Sequence, residues 1–142
     1  MPFKSYFSIL ISLLLLFPCI TFAMSEYNYI SAGDLESRLK AEAPANILDI
    51  QVEEEFSRHH IKGAIPTYAY PVKNDIDHAK LDSAITQLNT NSDPVVIVCP
   101  RGGGGAKRTY DYLLQQKVSE DRLLILEKGQ GGWAYPSLTE SD

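Results

Sequence analysis

The sequence predicts an α/β fold with a mostly parallel sheet, and three observations carry that expectation. Short apolar runs alternate along the chain with segments of helical spacing. The most apolar of these runs, Val95-Val96-Ile97-Val98, is β-branched throughout and reads as a buried strand. It delivers Cys99 to its carboxyl end, the place where open α/β sheets keep their sites.

Taken in order, Tyr27-Asn28-Tyr29-Ile30 reads as a short strand, and Ser31-Ala32-Gly33-Asp34 has the S-x-x-D form of a helix-opening capping box. Leu35 and Leu39 form the inward side of that helix, and Pro44 marks its end. The next strand is Asn46-Ile47-Leu48-Asp49-Ile50, where Asp49 needs hydrogen bonds to be buried and reads as structural. Val52 to His60 runs from acidic to basic, the order that suits a helix dipole, with Phe56 as its core anchor. Ile61-Lys62-Gly63-Ala64-Ile65-Pro66 is a tight turn into a short strand, and Tyr68 and Tyr70 alternate with Thr67 and Ala69 before Pro71. Asp77 is placed to cap a helix over His78 to Leu88, with Leu81, Ile85 and Leu88 on one face. After the central strand a helix begins past Gly105, burying Ala106, Tyr110, Leu113 and Leu114. Leu123-Leu124-Ile125-Leu126 is the last strand, a glycine-rich turn runs to Trp133, and the polar tail from Ser137 is expected to fray.

The chemistry concentrates at Pro94 to Leu114. Gly102, Gly103, Gly104 and Gly105 have no Cβ and can turn backbone N–H groups toward a small anion, with a helix N-terminus behind them. A thiol at a strand tip, facing such amides, suits a thiolate and an anionic substrate. The run is not a P-loop, because Gly105 is followed by Ala106-Lys107-Arg108 rather than Gly-Lys-Ser/Thr. No second cysteine follows Cys99, so a thioredoxin-type pair and a cysteine ligand set are both excluded, and no metal or cofactor is expected. His59, His60 and His78 read as structural or surface residues. Arg101, Lys107 and Arg108 can attract an anion locally, though Lys107 and Arg108 equally suit a solvated helix face.

The front of the chain has a different character. Lys4, the apolar run Phe7 to Phe17 and Thr21-Phe22-Ala23 together have the form of a secretory signal over residues 1–23, cleaved after Ala23. The apolar run is shorter than the ~20 residues a membrane-spanning helix needs. Residues 24–142 then form a single domain in the periplasm or outside the cell, retaining Cys99 and losing Cys19. A lone cysteine in an oxidising compartment asks for a reactive role. The net charge of −5 gives no electrostatic case for nucleic acid or an anionic membrane.

Four stretches in order resemble a rhodanese domain. Ile47-Leu48-Asp49-Ile50 with Glu55-Phe56 is similar to the family's opening strand and acidic helix, and His60 to Pro66 is similar to its HIPGAINIP signature. Val95 to Leu114 resembles its active strand, cysteine loop and helix, and Gly131-Gly132-Trp133 its C-terminal glycine turn. The resemblance implies a rhodanese-like fold, a parallel sheet with helices on both faces. It also implies sulfur transfer through a persulfide on Cys99, with Pro100, Arg101, Gly102, Gly103, Gly104 and Gly105 forming the substrate loop. The donor would be a small anionic sulfane compound such as thiosulfate, and the acceptor a thiol, cyanide or a protein. Small exported rhodaneses of the periplasmic phage-shock type look similar.

Two departures stand out. Asp49-Ile50-Gln51 replaces the family's Asp-Val-Arg, and the loop has glycines where relatives carry an arginine, leaving Arg101 as its only cation. Phosphatase relatives place an arginine where this chain has Gly105, which argues against a phosphatase. Two readings follow: a sulfurtransferase, or a persulfide or chalcogen carrier without efficient turnover.

Overall fold

Side chains alternate across a strand, so a strand buried on both sides must be apolar at every position. The computed structural model, which describes residues 26–142, builds its centre from such strands. β5 (Val95–Val98) is fully buried and lies between β2 (Asn46–Asp49) and β6 (Leu123–Leu126), all parallel. β1 (Tyr29–Ile30) adds to β6 and β4 (Ile65–Pro66) to β2, giving a five-stranded parallel sheet in the order β1-β6-β5-β2-β4. Register is set by pairs such as Leu48 with Ile97 and Ile97 with Ile125.

The alternation divides the core in two. Leu48, Val95, Ile97, Leu123 and Ile125 face α3 (Asp75–Leu88) and α4 (Gly104–Gln115), meeting Leu81, Leu88, Tyr110 and Leu113. Ile47, Val96, Val98 and Leu126 face the other way, onto Leu35 of α1 (Ala32–Lys40) and onto Ile61. Helices therefore cover both faces of the sheet. Each fully buried aliphatic side chain contributes about 1.5–3 kcal/mol, so these two layers dominate the stability.

Local chemistry sets the ends of the helices. Ser31 caps α1 as expected: its Oγ accepts the Asp34 N–H at 3.0 Å and donates to the Asp34 carboxylate at 2.7 Å. The third helix departs from the expectation, because its cap is Asn74 and not Asp77. Asn74 Oδ1 accepts the Asp77 N–H at 2.9 Å, while the Asp77 carboxylate accepts the Lys73 N–H at 2.8 Å. Asp77 thus reaches back from the first turn past the cap to the N–H of the residue before it, a variation on the capping box.

Three further differences have physical causes. The acidic helix α2 (Glu53–Arg58) stops before the histidines, and His60 starts β3 (His60–Ile61), buried with its ring stacked 3.8 Å from Phe56. The polar tail does not fray: β7 (Thr139–Glu140) pairs antiparallel with β3, and the Thr139 hydroxyl accepts the Trp133 indole N–H at 3.1 Å. At the chain's front, β1 begins at Tyr29 because only Tyr29 and Ile30 meet β6, while Tyr27 packs edge-on against Tyr110. The signal-peptide expectation falls on residues 1–23, outside the described residues. Among the described residues no helix is long and apolar enough to cross a membrane.

Candidate active site

Cys99 follows β5 directly, so the strand register holds its backbone while the loop beyond decides what the thiol sees. Its Sγ accepts the Gly102 N–H at 2.9 Å. That contact needs a backbone reversal within three residues, and Gly102 makes it with φ +73°. A side chain there is also sterically forbidden, since its Cβ would lie 2.8 Å from the Lys128 N and 2.9 Å from the Leu126 carbonyl oxygen.

The glycine run divides into distinct roles rather than acting as one cradle. Gly102 alone has a positive φ. Gly103 is the N-cap of α4 with φ −101° and no side-chain cap, and Gly104 and Gly105 already lie in the helix. The helix thus starts earlier than expected, because glycines without side chains can form its first turn beside the cavity. Gly105 is buried, and its missing Cβ leaves room for the Tyr70 ring at 3.0 Å and Ile50 Cδ1 at 3.3 Å.

Cys99, Pro100, Arg101, Gly103, Gly104 and Gly105 line a cavity of about 260 Å³, with Tyr70 as the remaining wall. Gly102 turns away from it and contributes its N–H to the thiol. Cys99 itself is 2% exposed, so a reagent reaches its sulfur through that cavity. Arg101 is exposed at the edge, whereas Lys107 is drawn off to the Tyr27 ring, its Nζ 5.5 Å from the centroid.

A second loop holds the first. The Cys99 carbonyl accepts the Gln130 N–H at 2.8 Å, and the Pro100 carbonyl accepts the Gly131 N–H at 3.0 Å. Gly129, at φ +57°, brings the chain so close that a Cβ would stand 2.0 Å from the Cys99 carbonyl oxygen. Sequence reasoning marked this glycine-rich turn without seeing that it braces the cysteine loop. It also missed Tyr70, whose alternation with Ala69 read only as part of a strand.

Asp49 is fully buried at the end of β2 and plays the structural part expected of it. Its carboxylate accepts the Gln51 N–H at 2.8 Å and the Gln51 side-chain amide at 3.0 Å. Burial nevertheless pushes its pKa up to about 6, the two Gln51 bonds and His60 opposing that shift only in part. Gln51 therefore meets Asp49 with a neutral amide where the family pattern has arginine. His78 stacks on Tyr112, consistent with the structural reading of the histidines. Among the described residues no group of three His, Cys, Asp or Glu side chains is arranged to hold a metal.

The sequence profile of the family described as Rhodanese-like domain matches residues 31–135. The chain belongs to the rhodanese-like family. Solved structures agree with this rhodanese-like fold. A rhodanese-related protein from Thermoplasma volcanium superposes with a TM-score of 0.58 at 22% identity, covering 82% of this chain and 100% of that one. An As-Sb reductase from Leishmania major gives 0.63 at 15% identity over 82% of this chain and 86% of that one. Thiosulfate sulfurtransferase from Pseudomonas aeruginosa gives 0.58 at 20% identity, over 81% of this chain but only 20% of that larger protein. No curated protein gives a significant match.

Proposed function

We propose that this rhodanese-like domain is an exported sulfurtransferase that carries sulfane sulfur on Cys99. The observation behind the proposal is the Cys99 residue lining a cavity beside the uncapped start of α4 while its sulfur accepts the Gly102 N–H at 2.9 Å. An amide donor and a helix N-terminus stabilise negative charge on sulfur, both in the thiolate and in the persulfide that follows.

With a thiosulfate-like donor, the Cys99 thiolate attacks the outer sulfur and forms a new S–S bond. The donor's own S–S bond breaks, and sulfite leaves with the electron pair. A thiol, cyanide or protein nucleophile then attacks the outer sulfur of the persulfide, and Cys99 leaves as thiolate. The site's residues supply orientation and charge stabilisation, and no outside oxidant is required.

Turnover of thiosulfate and cyanide by the purified protein, with Cys99→Ser as comparison, tests the proposal. We expect turnover in the wild type, its loss in the variant, and one added sulfur atom on Cys99 by mass spectrometry after donor alone. A second reading is a persulfide carrier for a partner protein, favoured by the near-complete burial of Cys99 and by a loop whose one arginine is exposed at its edge. Stable sulfur loading without turnover would select it. Export to the periplasm or beyond rests on residues 1–23, and a mature N-terminus at Met24 in secreted material would test it.

A further inference from the structure

A cation held in place beside a reactive thiol, with a donor group left over, is a candidate anion clamp, and Arg108 has these properties. It is half-buried on α4 and its guanidinium is fixed by three hydrogen bonds to backbone. Nε donates to the Pro71 carbonyl at 3.0 Å and the Val72 carbonyl at 3.1 Å, and Nη2 donates to the Pro71 carbonyl at 2.8 Å. Among the described residues Nη1 makes no hydrogen bond and no carboxylate lies within salt-bridge distance of the group.

The position of Nη1 is what matters. It sits 2.8 Å from where a Cβ on Gly104 would stand, with the guanidinium carbon at 3.6 Å. Residues four apart share a helix face and long side chains point back toward the N-terminus, so Arg108 lies across Gly104 toward the start of α4. Gly104 lines the Cys99 cavity and Pro71 follows Tyr70, another of its walls. Arg108 does not itself line that cavity; its guanidinium stands beside Gly104, which does. Arg108 also borders a separate cavity of about 260 Å³ that includes Lys73 and His78.

We infer that Arg108 is the specificity-determining cation for the anionic end of the sulfur donor, reaching the Cys99 cavity from the helix across the side-chain-free Gly104. Arg101 is exposed and Lys107 is engaged with Tyr27, so Arg108 is the positionally fixed charge of the three. The inference explains why position 104 is glycine: a side chain there would displace the guanidinium. It rests on Cys99 being the reactive thiol, but not on turnover.

The test compares alkylation of Cys99 by iodoacetate, an anion, with alkylation by neutral iodoacetamide, mapped by peptide mass spectrometry. Removing one unit charge several ångströms away in a water-like dielectric changes anion reactivity by roughly threefold or more. Arg108→Gln is expected to lower the iodoacetate-to-iodoacetamide ratio by about that factor while the iodoacetamide rate stays near wild type. Arg108→Lys should retain part of the ratio, and Arg101→Gln should lower it less than Arg108→Gln. Gly104→Ala, which keeps the charge but moves it, should lower the ratio too and decides the matter if Arg108→Gln does not fold. A ratio unchanged in Arg108→Gln, or both rates falling in parallel, would overturn the inference, the second outcome meaning that Arg108 only anchors the Pro71–Val72 turn. Because alkylation needs no sulfur donor, a protein without sulfurtransferase activity can still pass or fail this test.

Discussion

The Cys99 carbonyl oxygen occupies the space that a side chain on Gly129 would need, 2.0 Å from the ideal Cβ position. Two loops from the ends of neighbouring parallel strands are thereby locked backbone to backbone. The Gln130 N–H donates to that same carbonyl at 2.8 Å, so the close approach forms part of a hydrogen-bonded unit.

Gly129→Ala should therefore disturb the site without touching a catalytic group. Its backbone, φ +57° with ψ −154°, lies in a region adopted essentially by glycine alone and costs about 1–3 kcal/mol for a residue with a Cβ, and the overlap with the Cys99 carbonyl adds to it. We expect a lowered midpoint in urea unfolding and a slower reaction of Cys99 with iodoacetamide. Wild-type values for both would mean that the two loops move apart at little cost.

The glycines of the cysteine loop should respond unequally. Gly102→Ala meets a φ of +73° and three backbone atoms within 3.1 Å, so sulfur transfer should fall at least tenfold, the rate equivalent of about 1.4 kcal/mol. Gly103→Ala meets nothing within 4 Å at a negative φ, and stability should stay within about 0.5 kcal/mol of wild type. Equal damage at the two positions, measured as kcat/KM for thiosulfate, would contradict this division of roles.

Asp49 makes stability depend on pH. Its folded pKa of about 6 lies above its ordinary value of 3.8, so between these values the folded state binds more protons than the unfolded one. The contribution of Asp49 to stability is then greatest below about pH 4 and declines as pH rises to about 6, by up to about 3 kcal/mol. Asp49→Asn should flatten that segment of the pH profile, since its neutral amide can rearrange with Gln51. Denaturant midpoints measured from pH 4 to 7 in both proteins decide it; an unchanged slope in the variant would assign the pH dependence to other groups.

Thr139 ties the C-terminal segment down. Its hydroxyl accepts the Trp133 indole N–H and donates to the Tyr135 carbonyl at 2.9 Å. Thr139→Val keeps the shape and leaves both partners unsatisfied, which should cost about 1–3 kcal/mol. Thermal melting and tryptophan fluorescence should both register the loss; a silent substitution would mean that water replaces the hydroxyl.

The sequence by itself determined the layered architecture, because β-branched runs such as Val95–Val98 can be satisfied only by burial on both faces of a sheet. It determined the position of Cys99 for the same reason: a polarisable residue placed just after such a run must emerge at the strand's carboxyl end. What depended on distant segments was not legible. A glycine reports freedom without reporting which conformation is used, and only the backbone of Leu126 to Gly129 shows why Gly102 needs its positive φ. Asp77 and Asn74 both offer a side-chain acceptor for a helix start, and local composition does not choose between them. The polar tail carries no strand signal because its pairing with His60 and Ile61 supplies the hydrogen bonds that its side chains do not announce. The sequence left Arg108 open between a local attractor of anions and a solvated helix cation, because the carbonyls that hold it, those of Pro71 and Val72, lie far back in the chain and come to α4 only when the sheet brings them together.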